Sequence, residues 1–119
     1  MNTEELVDTY ITSWNETDAA RRQTLLVRLW ADNARYVDPL MKSEGRDEIG
    51  AMIAAVQARF LGHRFRRLGE IDAHNDRMRF RWALGAEGAD AIVTGTDFAV
   101  LADGRLQSVT GFIDTMPSA

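Results

Sequence analysis

Leu29-Trp30-Ala31-Asp32-Asn33-Ala34-Arg35-Tyr36-Val37-Asp38-Pro39-Leu40 is the stretch whose reading decides the fold. It leaves an amphipathic helix, turns into a short strand and ends in a carboxylate beside a proline. Asp32-Asn33 reads as the helix stop, because asparagine tolerates the left-handed conformation at a helix end. Ala34 to Asp38 reads as the strand, and Pro39 ends it for want of an N–H. An acid among apolar residues at a strand end is suited to proton transfer. Its bland counterpart is an aspartate that caps its own turn, as residues before proline often do.

Three helices surround that stretch. Asn2 with Glu5 three residues on forms a capping box and starts the first, whose stripe is Leu6, Val7, Tyr10, Ile11 and Trp14. Thr17 or Asp18 caps the second, with Leu25, Leu26, Leu29 and Trp30 on its buried face. Gly45 opens the third, with Asp47 and Glu48 near its positive end; Ile49, Met52, Ile53, Val56 and Phe60 form its stripe, and Gly62 ends it.

The second half reads as strands. His63 to Ala73 is the first, with Gly69 at an expected bulge. After the His74-Asn75-Asp76 turn, Arg77 to Leu84 alternates strictly, with Met78, Phe80, Trp82 and Leu84 opposite Arg77, Arg79 and Arg81. A turn at Gly85 to Gly88, a strand from Ala91 to Leu101, the Asp103-Gly104 turn and a strand from Leu106 to Asp114 complete the chain. Helices come first and a mainly antiparallel sheet follows, so the fold is α+β, with the helices covering the face that carries Phe80 and Trp82.

The 119 residues suffice for one domain with a core of its own, and no linker or repeat divides 1–119. No cysteine is present, which removes disulfides, thiolate metal sites and cysteine nucleophiles. His63 and His74 belong to no spaced cluster of ligands and no glycine-rich phosphate loop occurs, so neither metal nor cofactor is expected. No run nears the roughly 18 apolar residues of a membrane span, and the acidic N-terminus lacks an apolar signal core; no membrane association and a cytoplasmic location are expected. A net charge of −4, with no aromatic residue interleaved with Arg77, Arg79 and Arg81 on their face of the strand, argues against nucleic acid. That arginine face reads as a solvated surface paired with acids such as Asp90 or Glu70.

The order and spacing of Leu29 to Pro39, Gly95-Thr96-Asp97-Phe98, and Asp103-Gly104-Arg105 through Gly111-Phe112-Ile113-Asp114 resemble the nuclear transport factor 2-like superfamily, which includes SnoaL-like polyketide cyclases and ketosteroid isomerases. The resemblance covers essentially the whole chain. It implies three helices on a strongly curved, mixed but mainly antiparallel sheet, forming a cone-shaped barrel with an internal pocket. It also implies pairing of two copies through the sheet face, a homodimer.

In the isomerase branch the acid of the Asp-Pro pair is the base, which the resemblance carries to Asp38. An oxyanion-binding tyrosine on the first helix corresponds to Tyr10, followed by Ile11-Thr12-Ser13-Trp14-Asn15. A protonated acid on the strand before the last falls on Thr96 or Asp97, and because adjacent strand residues face opposite ways, the register decides which. The cyclase branch uses an acid near the end of the last strand, which corresponds to Asp114. Trp14, Met52, Val56, Phe60, Phe80, Trp82 and Phe98 are the expected wall around a small hydrophobic ligand. Such a site would abstract a proton beside a carbonyl, with a poorly solvated carboxylate as base and a buried hydroxyl at the developing enolate. The reading is thus a cofactor-free isomerase or cyclase; its rivals are a non-catalytic ligand-binding domain and a dimeric interaction module.

Overall fold

The computed structural model describes residues 1–117. Helix α1 spans Thr3–Asn15, α2 Ala19–Leu29 and α3 Gly45–Arg59; the strands are β1 Trp30–Val37, β2 Lys42–Glu44, β3 His63–His74, β4 Arg77–Ala86, β5 Val93–Ala102 and β6 Arg105–Thr115. The Asn2 side chain accepts from the Glu5 N–H at 2.8 Å and donates to its carboxylate at 2.9 Å, closing the expected box. For α2 the cap is Asp18, which accepts from the Arg21 N–H at 2.9 Å.

The passage from α2 to β1 is sharper than the sequence suggested. Trp30 is already extended, and Asp32 and Asn33 lie inside the strand. No left-handed residue is needed, because Arg46 from α3 holds the corner. Its guanidinium donates to the Trp30 carbonyl at 2.6 and 3.0 Å and pairs with Asp32 at 2.6 Å. The extra residues of this corner appear as a register shift between Trp30 and Arg35 where β1 meets β6. The short strand β2, absent from the sequence reading, follows the Asp38 turn and pairs back on β1.

The six strands run in the order β2-β1-β6-β5-β4-β3. All neighbours are antiparallel except β1 and β6, which are parallel. The sheet is mixed, as expected, but it is not a closed barrel: β2 and β3 are its two free ends. It curls instead, so that Tyr36 of β1 and Phe65 of β3, from opposite ends, line one cavity. Gly69, at φ 65°, falls in the register shift of β3 between Leu68 and Asp72. Asn75 at φ 50° and Asp103-Gly104 at φ 51° and 77° form the hairpin turns.

The core lies between the helices and the concave face. Leu6, Val7, Tyr10, Leu26, Leu29, Trp30, Ile49, Ile53, Phe80, Leu106 and Val109 are all buried within it. Each large apolar side chain stabilises the fold by about 1.5–3 kcal/mol through its burial. Among the described residues no helix is long and apolar enough to cross a membrane.

Candidate active site

The period of two along each strand sets the direction of every candidate. On β5, Val93, Gly95, Asp97 and Ala99 are buried while Thr94, Thr96 and Phe98 are not. Asp97 therefore faces the concave side and Thr96 the outside, where its hydroxyl donates to Asp114 at 2.7 Å. The same alternation on β6 sends Gly111 inward and Asp114 outward.

Asp97 is 3% exposed and accepts two hydrogen bonds, from the Tyr10 hydroxyl at 3.0 Å and the Trp82 indole N–H at 3.0 Å. Burial pushes its pKa up from 3.8 to about 6; the two donors oppose the rise and the nearby Asp38 charge adds to it. Trp82 reaches Asp97 because it crosses Gly95, its partner on β5. A Cβ on Gly95 would stand 2.2 Å from Cζ2 of that indole. Burial, the Asp97 charge and Tyr36 together hold the Tyr10 hydroxyl well above its usual range, so it remains a neutral donor. Phe80, edge-on at 5.5 Å, fixes the Tyr10 ring from beneath.

Asp38 stands on the other side of Gly111. A Cβ on that glycine would lie 3.0 Å from Oδ1 of Asp97, 3.2 Å from Cβ of Asp38 and 3.5 Å from the Tyr36 hydroxyl. The two acids thus approach across a glycine, where even a methyl group would crowd both. Asp38 accepts from Tyr36 at 2.7 Å and from the N–H groups of Leu40 and Met41 at 2.8 and 2.9 Å. It closes its own turn and lines the cavity at once. Burial first, then Asp97 and Asp38, raise the Tyr36 pKa far above the ordinary phenol value.

Around these groups lies a cavity of about 300 Å³, at the small end of the range for small-molecule sites. Of the expected wall, Trp14, Val56, Phe60 and Trp82 line it, joined by Phe65 and Met41. Asn15 secures Phe65 there, since its side-chain amide exchanges two 2.8 Å hydrogen bonds with the Phe65 backbone.

Four expected site residues lie elsewhere. Met52 and Phe80 are core residues, one layer beneath the cavity. Phe98 points outward from β5, 41% exposed and edge-on to Phe112 at 5.8 Å. Asp114 is also on the outer face, 3.9 Å from Arg81. Strand alternation puts Phe98 and Asp114 outside, whereas Phe80 and Met52 share a face with Trp82 and Val56 and lie one step further along their elements, in the core. The outer arginines find acids other than those expected: Arg79 pairs with Asp72 at 2.9 Å and Arg77 with Asp76 at 3.0 Å.

Tyr36 was missed. Its signal was present, two residues before Asp38 and therefore on the same face of the strand. Trp82 was expected only as wall, although an indole N–H in a buried site needs an acceptor.

Helices cupped by a curled sheet, with two carboxyls and two tyrosines at one end of an apolar pocket, define a small α+β pocket protein. Residues 7–109 match the SnoaL-like domain, and the chain belongs to that family. A candidate isomerase of the SnoaL-like family from Agrobacterium tumefaciens is 43% identical, with a TM-score of 0.88 over 92% of this chain and 95% of that one. A protein of ketosteroid isomerase-like fold from Catenulispora acidiphila, solved with trimethylamine, superposes with a TM-score of 0.75 at 20% identity, covering 92% of this chain and 85% of that one. A candidate polyketide cyclase from Sinorhizobium meliloti gives 0.71 at 18% identity, over 90% and 93% of the two chains. Among the curated proteins none matches. The two distant structures share the fold with this chain.

Proposed function

We propose that the protein moves a proton beside the carbonyl of a small hydrophobic substrate, as an isomerase or cyclase does. Asp38 is the base, Tyr10 the donor at the carbonyl oxygen, and Asp97 the acid behind it. The observation that carries this reading is the approach of Asp38 and Asp97 across Gly111 at the end of one apolar cavity.

The chemistry follows from the hydrogen bonds. Asp38 takes a proton from the carbon beside the carbonyl, and the C–H pair moves into an enolate. The growing negative charge on oxygen needs a donor already in place. With Asp97 ionised, the Tyr10 proton is committed to it at 3.0 Å. With Asp97 protonated, the same bond reverses: Asp97 donates to the tyrosine oxygen, and the Tyr10 O–H turns to the substrate. A carboxyl at about 6 populates both states near neutrality. In an isomerase, Asp38 then returns its proton to a different carbon. In a cyclase, the enolate carbon attacks a second carbonyl carbon of the same molecule, whose π pair moves to its oxygen and takes up the proton from Asp38.

Deuterium wash-out from 2-tetralone labelled at C1 tests the reading by NMR. Exchange above the buffer rate that is lost in Asp38→Asn is expected. Binding without exchange would favour a non-catalytic ligand-binding domain instead. One observation supports that rival: Asp38 already accepts three hydrogen bonds, leaving about one free acceptor site on the ionised carboxylate.

The outer face supports a second, independent proposal, that two copies pair through the sheet. Phe98 and Phe112 form an exposed apolar spot flanked by Arg79, Arg81, Asp72 and Asp114. Two cations and two anions around an apolar centre suit a two-fold, self-complementary contact.

A further inference from the structure

The cavity wall carries one cation among its described residues, Arg59, and nothing in the chemistry above uses it. Arg59 occupies the last turn of α3, and Ala55, Val56 and Arg59 line the cavity together because residues three and four apart share a helix face. Its side chain is exposed, whereas Asp97 is buried and Asp38 half-buried, so the cation stands nearer solvent than either acid. The guanidinium carbon lies 6.0 Å from the centre of the Phe60 ring, which also lines the cavity. That contact holds the charge over the rim.

Arg46 pairs with Asp32, Arg67 with Glu4 and Asp8, and Arg81 with Asp114, while Arg59 makes no ion pair among the described residues. Arg64 and Arg66, next to the cavity-lining Phe65 in sequence, also make no ion pair among the described residues, but neither lines the cavity. Complementing the helix dipole explains a basic residue in this turn. It does not explain a cation on the wall of an apolar cavity.

We infer that Arg59 binds an anionic group of the substrate, and that the substrate class is a small apolar carbonyl compound bearing a carboxylate. This rests on the pocket accepting such a compound at all, as proposed above. The electrostatics also fix the direction of binding. Asp38 and Asp97 repel an anion beside them, and Arg59 attracts it at the exposed rim. The carboxylate stays at the rim, and the neutral carbonyl end is delivered to the acids.

The test compares two probes of equal shape, naphthalene-2-acetate and naphthalene-2-acetamide, by quenching of the fluorescence of Trp14 and Trp82. The acetate is expected to bind about tenfold more tightly to the native protein, the scale of one charge-assisted hydrogen-bonded pair. Arg59→Gln is expected to abolish that preference and leave the acetamide affinity within about twofold; Arg59→Lys should restore most of it. Added salt should weaken the acetate alone. Equal affinity of the two probes for the native protein would overturn the assignment of Arg59 while leaving the pocket intact. So would an equal loss of both probes in Arg59→Gln. Failure of both probes to bind would overturn the pocket reading and this inference together.

Discussion

Trp82 reaches Asp97 only because Gly95 has no side chain: a Cβ there would stand 2.2 Å from the indole and 2.6 Å from the Phe112 carbonyl oxygen. Neither neighbour is the loose end of a flexible chain. Gly95→Ala is therefore expected to cost roughly 1–3 kcal/mol in overpacking and to break the 3.0 Å Trp82–Asp97 bond. Urea denaturation measures the first effect. The second shows as an altered tryptophan emission and an upward shift in the Asp97 titration, since a donor that stabilises the ionised form is lost.

Asp97 makes stability fall with pH. Its folded pKa of about 6 exceeds the ordinary 3.8, so the folded state holds the proton more tightly than the unfolded chain. The benefit is complete below about pH 4 and lost as pH rises through 6, a difference of about 3 kcal/mol. Asp97→Asn, whose amide can donate to Tyr10 while its oxygen accepts from Trp82, is expected to remove this slope. Denaturation midpoints at pH 4, 6 and 8 test it: the variant should gain on the native protein only at the higher values. Proton-transfer activity of the native protein should fall as pH rises through 6, with that limb missing in the variant.

Tyr36 and Asp38 form the second donor–acceptor pair, at 2.7 Å. Asp38→Asn is expected to lower the exchange rate by about 10²–10⁴ with ligand affinity nearly retained. Tyr36→Phe keeps the ring but removes the donor, at about 0.5–1.5 kcal/mol of stability. It should change the pH profile of exchange, which a merely packed ring would not do. Loss of ligand binding in Asp38→Asn would point to a positional role for the acid.

Much of this architecture was legible because local chemistry and global fold agree. The Asn2–Glu5 box, the alternation from Arg77 to Leu84 and the Asp103-Gly104 turn are determined within a few residues, and all were readable. The α2–β1 corner was misread because its stabiliser, Arg46, lies in another element. Strand direction decided the rest. Asp97 is in the middle of β5 and Asp114 near the end of β6, and only the register distinguishes the one inside the pocket from the one outside. Tyr36 went unnoticed because its hydroxyl acquires meaning from Asp38 alone. Gly111 was legible only as part of the family-like segment, since its importance lies in what converges above it.

The outer face yields a prediction on assembly. If Phe98 and Phe112 meet a second copy, sedimentation equilibrium should give twice the 13.3 kDa chain mass. Phe98→Asp should return the monomer without altering ligand binding in the concave pocket, because Phe98 points away from it. A native protein that stays monomeric at high concentration would exclude the pairing.

Gly111 offers the most direct test of the paired acids. Its Cβ position lies 3.0 Å from Asp97 Oδ1, 3.2 Å from Asp38 Cβ and 3.5 Å from the Tyr36 hydroxyl. The first two are tight and the third is ordinary contact, so the two acids need give by only a few tenths of an ångström and Gly111→Ala should fold. The fold should lose about 1–2 kcal/mol from the strain. The chemistry should suffer more, because a methyl between the carboxyls forces them apart and misplacement of this size costs up to about 10² in rate. Asp38→Asn and Gly111→Ala combined should then lose little more exchange activity than Asp38→Asn alone, since both disable one arrangement. Additive losses would mean that the glycine acts on the rate through general destabilisation, and the convergence of the two acids would lose its functional significance.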